Sequence, residues 1–128
     1  MVKVLLLVST LLSTLTFSEA RAQGSYPSRP VKIICGFPAG TSLDIITRIF
    51  AQKLEERLGQ PFIVENRAGA SGNLAAEGVA RAAPDGYTLL SDGITQAISM
   101  SLFKNINFDI AADFEPIGGI GNAPSSWS

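Results

Sequence analysis

The sequence predicts an α/β fold with a mostly parallel sheet and flanking helices. Between Tyr26 and Leu90, short apolar runs alternate with runs of helical period, and glycine or proline residues separate them. The first apolar run, Val31 to Phe37, is rich in β-branched residues and apolar on both faces, as expected of a buried parallel strand. The resulting order, β-α-β-α-β-α-β, is typical of a parallel sheet with right-handed helical crossovers.

The first helix is predicted to follow Thr41, its N-cap, and to end at Gly59, just before Pro61. Apolar residues at steps of three and four form a stripe that is expected to face the sheet: Leu43, Ile46, Phe50, Leu54 and Leu58. Asp44 and Arg48, four residues apart, are expected to pair on the outer side of this helix.

The remaining elements follow from the same alternation. A second strand is predicted over Phe62 to Glu65, and a helix of small residues runs from Gly72 through about Ala83. After a Pro-Asp-Gly turn come a third strand, Tyr87 to Ser91, and a short helix that ends near Phe103. A fourth strand is expected over Phe114 to Ile120, so that one α/β lobe spans residues 23–121 and an irregular end spans residues 122–128.

The first 22 residues predict a secretory signal peptide. Lys3 precedes an apolar run from Val4 to Phe17, which is shorter than the ~20 residues that a spanning helix needs. Ala20-Arg21-Ala22 has the small-x-small pattern that signal peptidase recognises, so cleavage is expected after Ala22. The protein is therefore expected to be exported.

Composition narrows the range of functions. The chain has no histidine, which excludes Ser-His-Asp and Cys-His triads and histidine-containing zinc sites. Its single cysteine, Cys35, lies within the first apolar run and is expected to be a buried, inert thiol. A formal net charge of −1 gives no reason to expect nucleic acid as a partner. We expect no enzyme, no metal and no cofactor; a small hydrolase using Asp44, Glu65 or Asp92 is the less favoured alternative.

Ligand binding is expected at the loops that leave the carboxyl ends of the strands. The first of these, Phe37 to Asp44, combines two hydroxyls with a helix N-terminus, whose unpaired amides favour an anion. A helix start with nothing bound fits that motif equally well. The second loop, with Asn66 and Arg67, fits a turn with a solvated arginine better than a site. In the third, Asp92 would repel a carboxylate unless it were turned away or bridged by water.

Taken as a set, the motifs resemble the Bug-type solute-binding proteins of the tripartite tricarboxylate transporter family. The resemblance runs from Tyr26 to about Gly121. It is carried by the Phe37-Pro38-Ala39-Gly40 loop with Ser42 and Asp44, by Glu65-Asn66-Arg67, by Gly72-Asn73 and by Pro84-Asp85-Gly86-Tyr87-Thr88-Leu89-Leu90.

The resemblance implies a periplasmic clamshell of type II that closes on a small organic carboxylate and delivers it to membrane subunits of a transporter. It implies a monomer that binds without catalysis. The carboxylate would be held by the first and third loops, at Phe37, Ala39, Gly40, Thr41, Ser42, Gly93, Thr95 and Gln96.

The length of the chain matters for this interpretation. Members of the family are more than twice as long, so the chain is expected to be part of the first of two lobes. Half a clamshell cannot bury the 70–90% of a ligand that is usual in tight sites. The alternative to a binding fragment is therefore a remnant that is exported but binds nothing.

Overall fold

A three-stranded parallel sheet lies at the centre of the computed structural model, which describes residues 25–103 and 106–121. Its strands are β1 (Val31–Cys35), β2 (Phe62–Asn66) and β3 (Thr88–Ser91). Their order in the sheet is β2-β1-β3, so the first strand is central and pairs with both others. The predicted α/β class and parallel pairing are confirmed. The predicted signal peptide and irregular C-terminus lie outside the described residues.

Two helices and one short turn connect the strands, and a third helix follows the last strand. Helix α1 (Ser42–Leu58) joins β1 to β2, and a 3₁₀ turn (Ala70–Gly72) leads into α2 (Asn73–Ala80). Helix α3 (Thr95–Leu102) follows β3. The caps of α1 agree with the sequence: the Thr41 hydroxyl accepts from the Asp44 amide, and Gly59 ends the helix with a left-handed φ of 71°.

The core lies between α1 and one face of the sheet. Val31, Ile33, Ala51 and Phe62 are buried together, and four partly buried side chains pack around them: Leu54, Val64, Tyr87 and Leu89. In the N-terminal half of α1, the Thr47 hydroxyl lies 2.6 Å from the Ser91 hydroxyl inside the protein. Cys35 is fully buried, as predicted.

The predicted apolar stripe of α1 is wrong for three of its five residues, whereas Leu54 packs against the core as predicted and Leu43 is half-buried. Ile46, Phe50 and Leu58 are 43%, 42% and 43% exposed, whereas Asp44, Thr47 and Ala51 are the buried residues of the helix. The face towards the sheet is thus rotated by about one residue from the predicted stripe. Small and polar side chains allow the helix backbone to approach the strands closely, and the polar ones find partners there.

The predicted fourth strand is also wrong. Residues 114–120 pair with no strand of the described sheet. Phe114, Pro116 and Ile117 instead line a groove beside β3 together with Leu89 and Leu90. The segment forms no ladder with the edge strand β3, and Pro116 has no amide hydrogen to contribute to one. Two further boundaries are shorter than predicted: β1 ends at Cys35 and α2 ends at Ala80.

The Pro84-Asp85-Gly86-Tyr87 turn holds the segment that leads into β1. The Tyr87 hydroxyl accepts from the Ser28 amide at 2.9 Å, and Arg29 forms an ion pair with Asp85 at 2.9 Å. The Arg29 guanidinium also lies 4.1 Å from the centre of the Tyr87 ring. This motif is therefore structural, and it lies away from the carboxyl ends of the strands.

Candidate functional site

The carboxyl ends of the three strands bring their loops together around the end of β1. Gly36 is so tightly enclosed that a Cβ atom there would lie 2.9 Å from Asp92 Oδ2 and 3.0 Å from the Gly72 Cα. Gly36 also donates its amide hydrogen to the Ser91 carbonyl at 3.4 Å, and Arg67 donates to the Cys35 carbonyl at 2.9 Å. The first loop therefore lies between the loops of its two neighbours.

In the first loop, part of the predicted donor set is used within the chain. The Gly40 amide donates to Asp44 Oδ2 at 2.9 Å, and the Thr41 hydroxyl donates to the Pro38 carbonyl at 2.9 Å. Ala39, Gly40 and Ser42 are exposed, and Phe37 is half-buried. The donors of this loop without a partner within residues 25–103 and 106–121 are the Ser42 hydroxyl and the amides of Phe37, Ala39, Ser42 and Leu43.

Asp44 organises the start of α1. Its side chain is 3% exposed and accepts from Arg48 Nε at 3.0 Å and from Asn66 Nδ2 at 2.8 Å. Hydrogen bonds from Arg48, Gly40 and Asn66 lower the pKa of Asp44 to about 2. The carboxylate is therefore charged at neutral pH, and the Arg48 guanidinium balances that charge. The expected Asp44–Arg48 pair exists, but its acidic member is buried rather than on the outer side.

The third loop is shaped by Asp92. Its carboxylate accepts from the Gly93 amide at 2.7 Å, the Thr95 hydroxyl at 3.2 Å and Gln96 Nε2 at 2.6 Å. It is thus turned towards its own loop, in keeping with the requirement that it point away from a bound carboxylate. Burial raises the pKa of Asp92, against the effect of these donors.

Gln96 links the third loop to the second. Its side chain is buried, and Nε2 donates to the Ser71 carbonyl at 3.4 Å in addition to Asp92. The remaining oxygen, Oε1, is buried without a hydrogen-bond partner in the described part of the chain. The only polar side-chain atom of Gln96 without a partner in those residues is thus an acceptor, which cannot donate to a carboxylate. Gly93 is exposed and Thr95 is half-buried. The roles of all eight candidate residues in ligand binding stay predictions.

The second loop carries the feature that sequence reasoning missed. Arg67 is half exposed, as a solvated turn predicts. Asn66, however, directs its side chain towards the first loop, where it contacts Phe37, Asp44 and Arg48. The signal available in the sequence was the position of Asn66 at the end of a strand next to the central one.

Neither a metal site nor a membrane-spanning helix is found among the described residues. No group of three or more Asp, Glu or Cys side chains in the described ranges could hold a metal ion. Among the helices of those same ranges, none combines the length and apolar character needed to cross a bilayer.

Comparison with known proteins identifies the family of this chain. A sequence profile described as "Tripartite tricarboxylate transporter family receptor" matches residues 46–127. BugT from Bordetella pertussis is 35% identical over 126 residues, which cover 97% of this chain and 39% of BugT. A UPF0065 protein from Agrobacterium vitis is 43% identical over 105 residues, or 82% of this chain and 30% of that protein.

Solved structures agree with the sequence relatives. MatC from Rhodopseudomonas palustris, with bound malate, has a TM-score of 0.64 and 35% identity over 72% of this chain and 32% of MatC. R. palustris Rpa4515 with adipate has a TM-score of 0.50 and 42% identity over 51% of this chain and 22% of that protein. The chain thus spans less than two-fifths of the length of these relatives. Because the profile matches well over half of its residues, the chain belongs to the tripartite tricarboxylate transporter receptor family.

Proposed function

We propose that this chain recognises a small organic carboxylate at the start of α1, as part of a periplasmic solute receptor. The observation that carries the proposal is the set of donors without a partner in the described residues at Ser42, which is exposed, and at Leu43, which is half-buried, beside the end of the central strand. Helix N-terminal amides of this kind favour a carboxylate through their hydrogen bonds and through the helix dipole.

The charge balance of the loop supports an anionic ligand. Asp44 would repel a carboxylate, but its oxygens already accept from Arg48, Gly40 and Asn66. The Asp44–Arg48 pair is formally neutral, so the helix start keeps its own partial positive charge. MatC and Rpa4515, which contain malate and adipate in their solved structures, are consistent with a dicarboxylate as the class of ligand.

The proposed role is binding without catalysis. Asp44 and Asp92, the two carboxylates nearest the loops, both have their oxygens engaged by donors of the same chain. Neither is placed to accept a proton from a ligand without first losing those bonds. The matching family is described as a receptor family, which supports the same conclusion.

A titration of malate and adipate into the chain, followed by nuclear magnetic resonance, tests the proposal. We expect saturable shifts at the amides of Ala39, Ser42 and Leu43. Ser42→Ala should weaken binding by about 0.5–1.5 kcal/mol for one neutral hydrogen bond, and by up to ~3 kcal/mol if the partner is a charged carboxylate. Binding should be weak, because one lobe buries less of a ligand than a closed clamshell does.

Two controls make the titration specific. Ser101→Ala removes an exposed hydroxyl from the last turn of α3 and should leave affinity unchanged. The dimethyl ester of malate, which carries no charge, should cause no saturable shifts at the three amides. Equal shifts with the ester, or equal affinity in Ser42→Ala, would count against a carboxylate site here.

Export and transport are proposed along with binding. The signal peptide over residues 1–22 would direct the chain to the periplasm, where membrane subunits of a tripartite transporter would be its partners. Mass spectrometry of the exported protein should find Gln23, or its cyclised form, as the first residue. A mature protein that begins at Met1 would contradict this assignment.

A further inference from the structure

We propose that Asn66, the last residue of β2, is a positioning residue that holds the ligand-binding loop in shape from the neighbouring strand. The inference rests on the proposed function, since it concerns the loop at which the carboxylate would bind. It assigns to Asn66 no contact with the ligand.

Every polar group of the Asn66 side chain has a partner on the first loop or on α1. Nδ2 donates to the Phe37 carbonyl at 3.0 Å and to Asp44 Oδ1 at 2.8 Å. Oδ1 accepts from the Arg48 guanidinium at 2.8 Å. Both amide hydrogens are therefore used, which leaves Asn66 no donor for a ligand carboxylate.

The backbone of Asn66 is fixed by the sheet. It pairs in register with Cys35 of the central strand, and the next residue, Arg67, donates to the Cys35 carbonyl at 2.9 Å. The side chain thus starts from a rigid point and reaches a loop that has no strand pairing of its own. Through the Asn66 side chain, the rigid sheet therefore fixes the position of residues 37–41.

Asp44, held by Asn66, in turn holds the backbone of the loop. With one oxygen held by Asn66, the other oxygen of Asp44 accepts from the Gly40 amide at 2.9 Å. Gly40 has a φ of 84°, which glycine adopts without strain, and this bond helps to close the turn before α1 together with the bonds from Thr41 to the Pro38 carbonyl. Asn66 also holds Arg48 beside Asp44, which keeps the charge under the loop balanced.

The test compares Asn66→Ala and Asn66→Leu with Val64→Ala in the full chain. Val64 lies on the same strand and packs against the core, so its truncation lowers stability without touching the loop. Asn66→Leu keeps the number of side-chain heavy atoms and the branch at Cγ while removing all three hydrogen bonds. The measurements are hydrogen exchange of the Gly40 amide, the pKa of Asp44 by nuclear magnetic resonance, and the affinity for malate.

We expect both Asn66 variants to exchange the Gly40 amide hydrogen about tenfold faster and to bind malate about tenfold more weakly, as the loss of a hydrogen bond to a charged group implies. The pKa of Asp44 should rise above its parent value of about 2, since one of its donors is gone. Val64→Ala should lower the melting temperature while leaving Gly40 exchange and the Asp44 pKa at their parent values.

Unchanged Gly40 exchange and an unchanged Asp44 pKa in the Asn66 variants would overturn the inference. So would equal effects in Val64→Ala, because the cause would then be a general loss of stability. If the parent chain binds neither malate nor adipate, the proposed function fails, and the Gly40 and Asp44 measurements still decide the role of Asn66 without ligand.

Discussion

Replacing Ala51 with aspartate is expected to unfold the chain, whereas the same replacement at the adjacent Phe50 is expected to leave it folded. Ala51 is 3% exposed and packs against Val31, Ile33 and Phe62, so a carboxylate there would be buried without a partner. An unpaired buried charge costs several kcal/mol, which is comparable to the ~5–15 kcal/mol by which a whole domain is stable. Phe50 is 42% exposed, and a charge at that position can remain in water.

Far-ultraviolet circular dichroism and urea denaturation of the two variants check this prediction. The pair is a matched control for the helix face, since the same charge is added at neighbouring positions of α1. If Phe50→Asp unfolded the chain and Ala51→Asp did not, the stripe predicted from the sequence would be right and the structural face of α1 would be wrong.

Gly72→Ala is expected to lower the free energy of unfolding by about 2–5 kcal/mol. Gly72 has a φ of 89°, which costs a residue with a Cβ atom roughly 1–2 kcal/mol. The new Cβ would also lie 2.7 Å from Asp92 Oδ2 and 2.7 Å from Gln96 Nε2. Those two atoms are hydrogen-bonded to each other at 2.6 Å, so relieving the overlap breaks a bond, and overpacking of this kind costs about 1–3 kcal/mol.

Two other glycines separate the causes in urea denaturation. Gly40 has a φ of 84° with open space around it, so Gly40→Ala should show the backbone cost alone, about 1–2 kcal/mol. Gly93 has neither a left-handed φ nor a close neighbour, and Gly93→Ala should change stability by less than about 0.5 kcal/mol. Equal losses of stability in the Gly72 and Gly40 variants would show that the second and third loops do not meet as described.

The strands and α1 could be predicted because their signals are local. Val31 to Cys35 is apolar on both faces, and Thr41 and Gly59 mark the ends of the helix within a few residues of the apolar run. The face of α1 could not be predicted in this way, because its apolar residues allow more than one stripe at helical spacing. The observed face includes Thr47, whose burial depends on Ser91, a residue distant in sequence.

The candidate site, like the fold, could be predicted only in part. Parallel pairing predicts that the three loops share one edge, and the close approach of Gly36, Gly72 and Asp92 agrees with that. Side-chain directions in the loops depend on partners from other strands, which a single sequence does not display. Asn66 and Gln96 show this most clearly, since each crosses to another loop.

The central position of β1 has a consequence for the order in which the chain can acquire its structure. The strand pairs with β2 across a single helix, but its other edge pairs with β3, which is made later. During synthesis, the ladder on that second edge cannot close until Thr88 to Ser91 have emerged. A β1–α1–β2 unit that forms before then has two strands and an unpaired edge on β1, which is the type of surface on which chaperones act and aggregation begins.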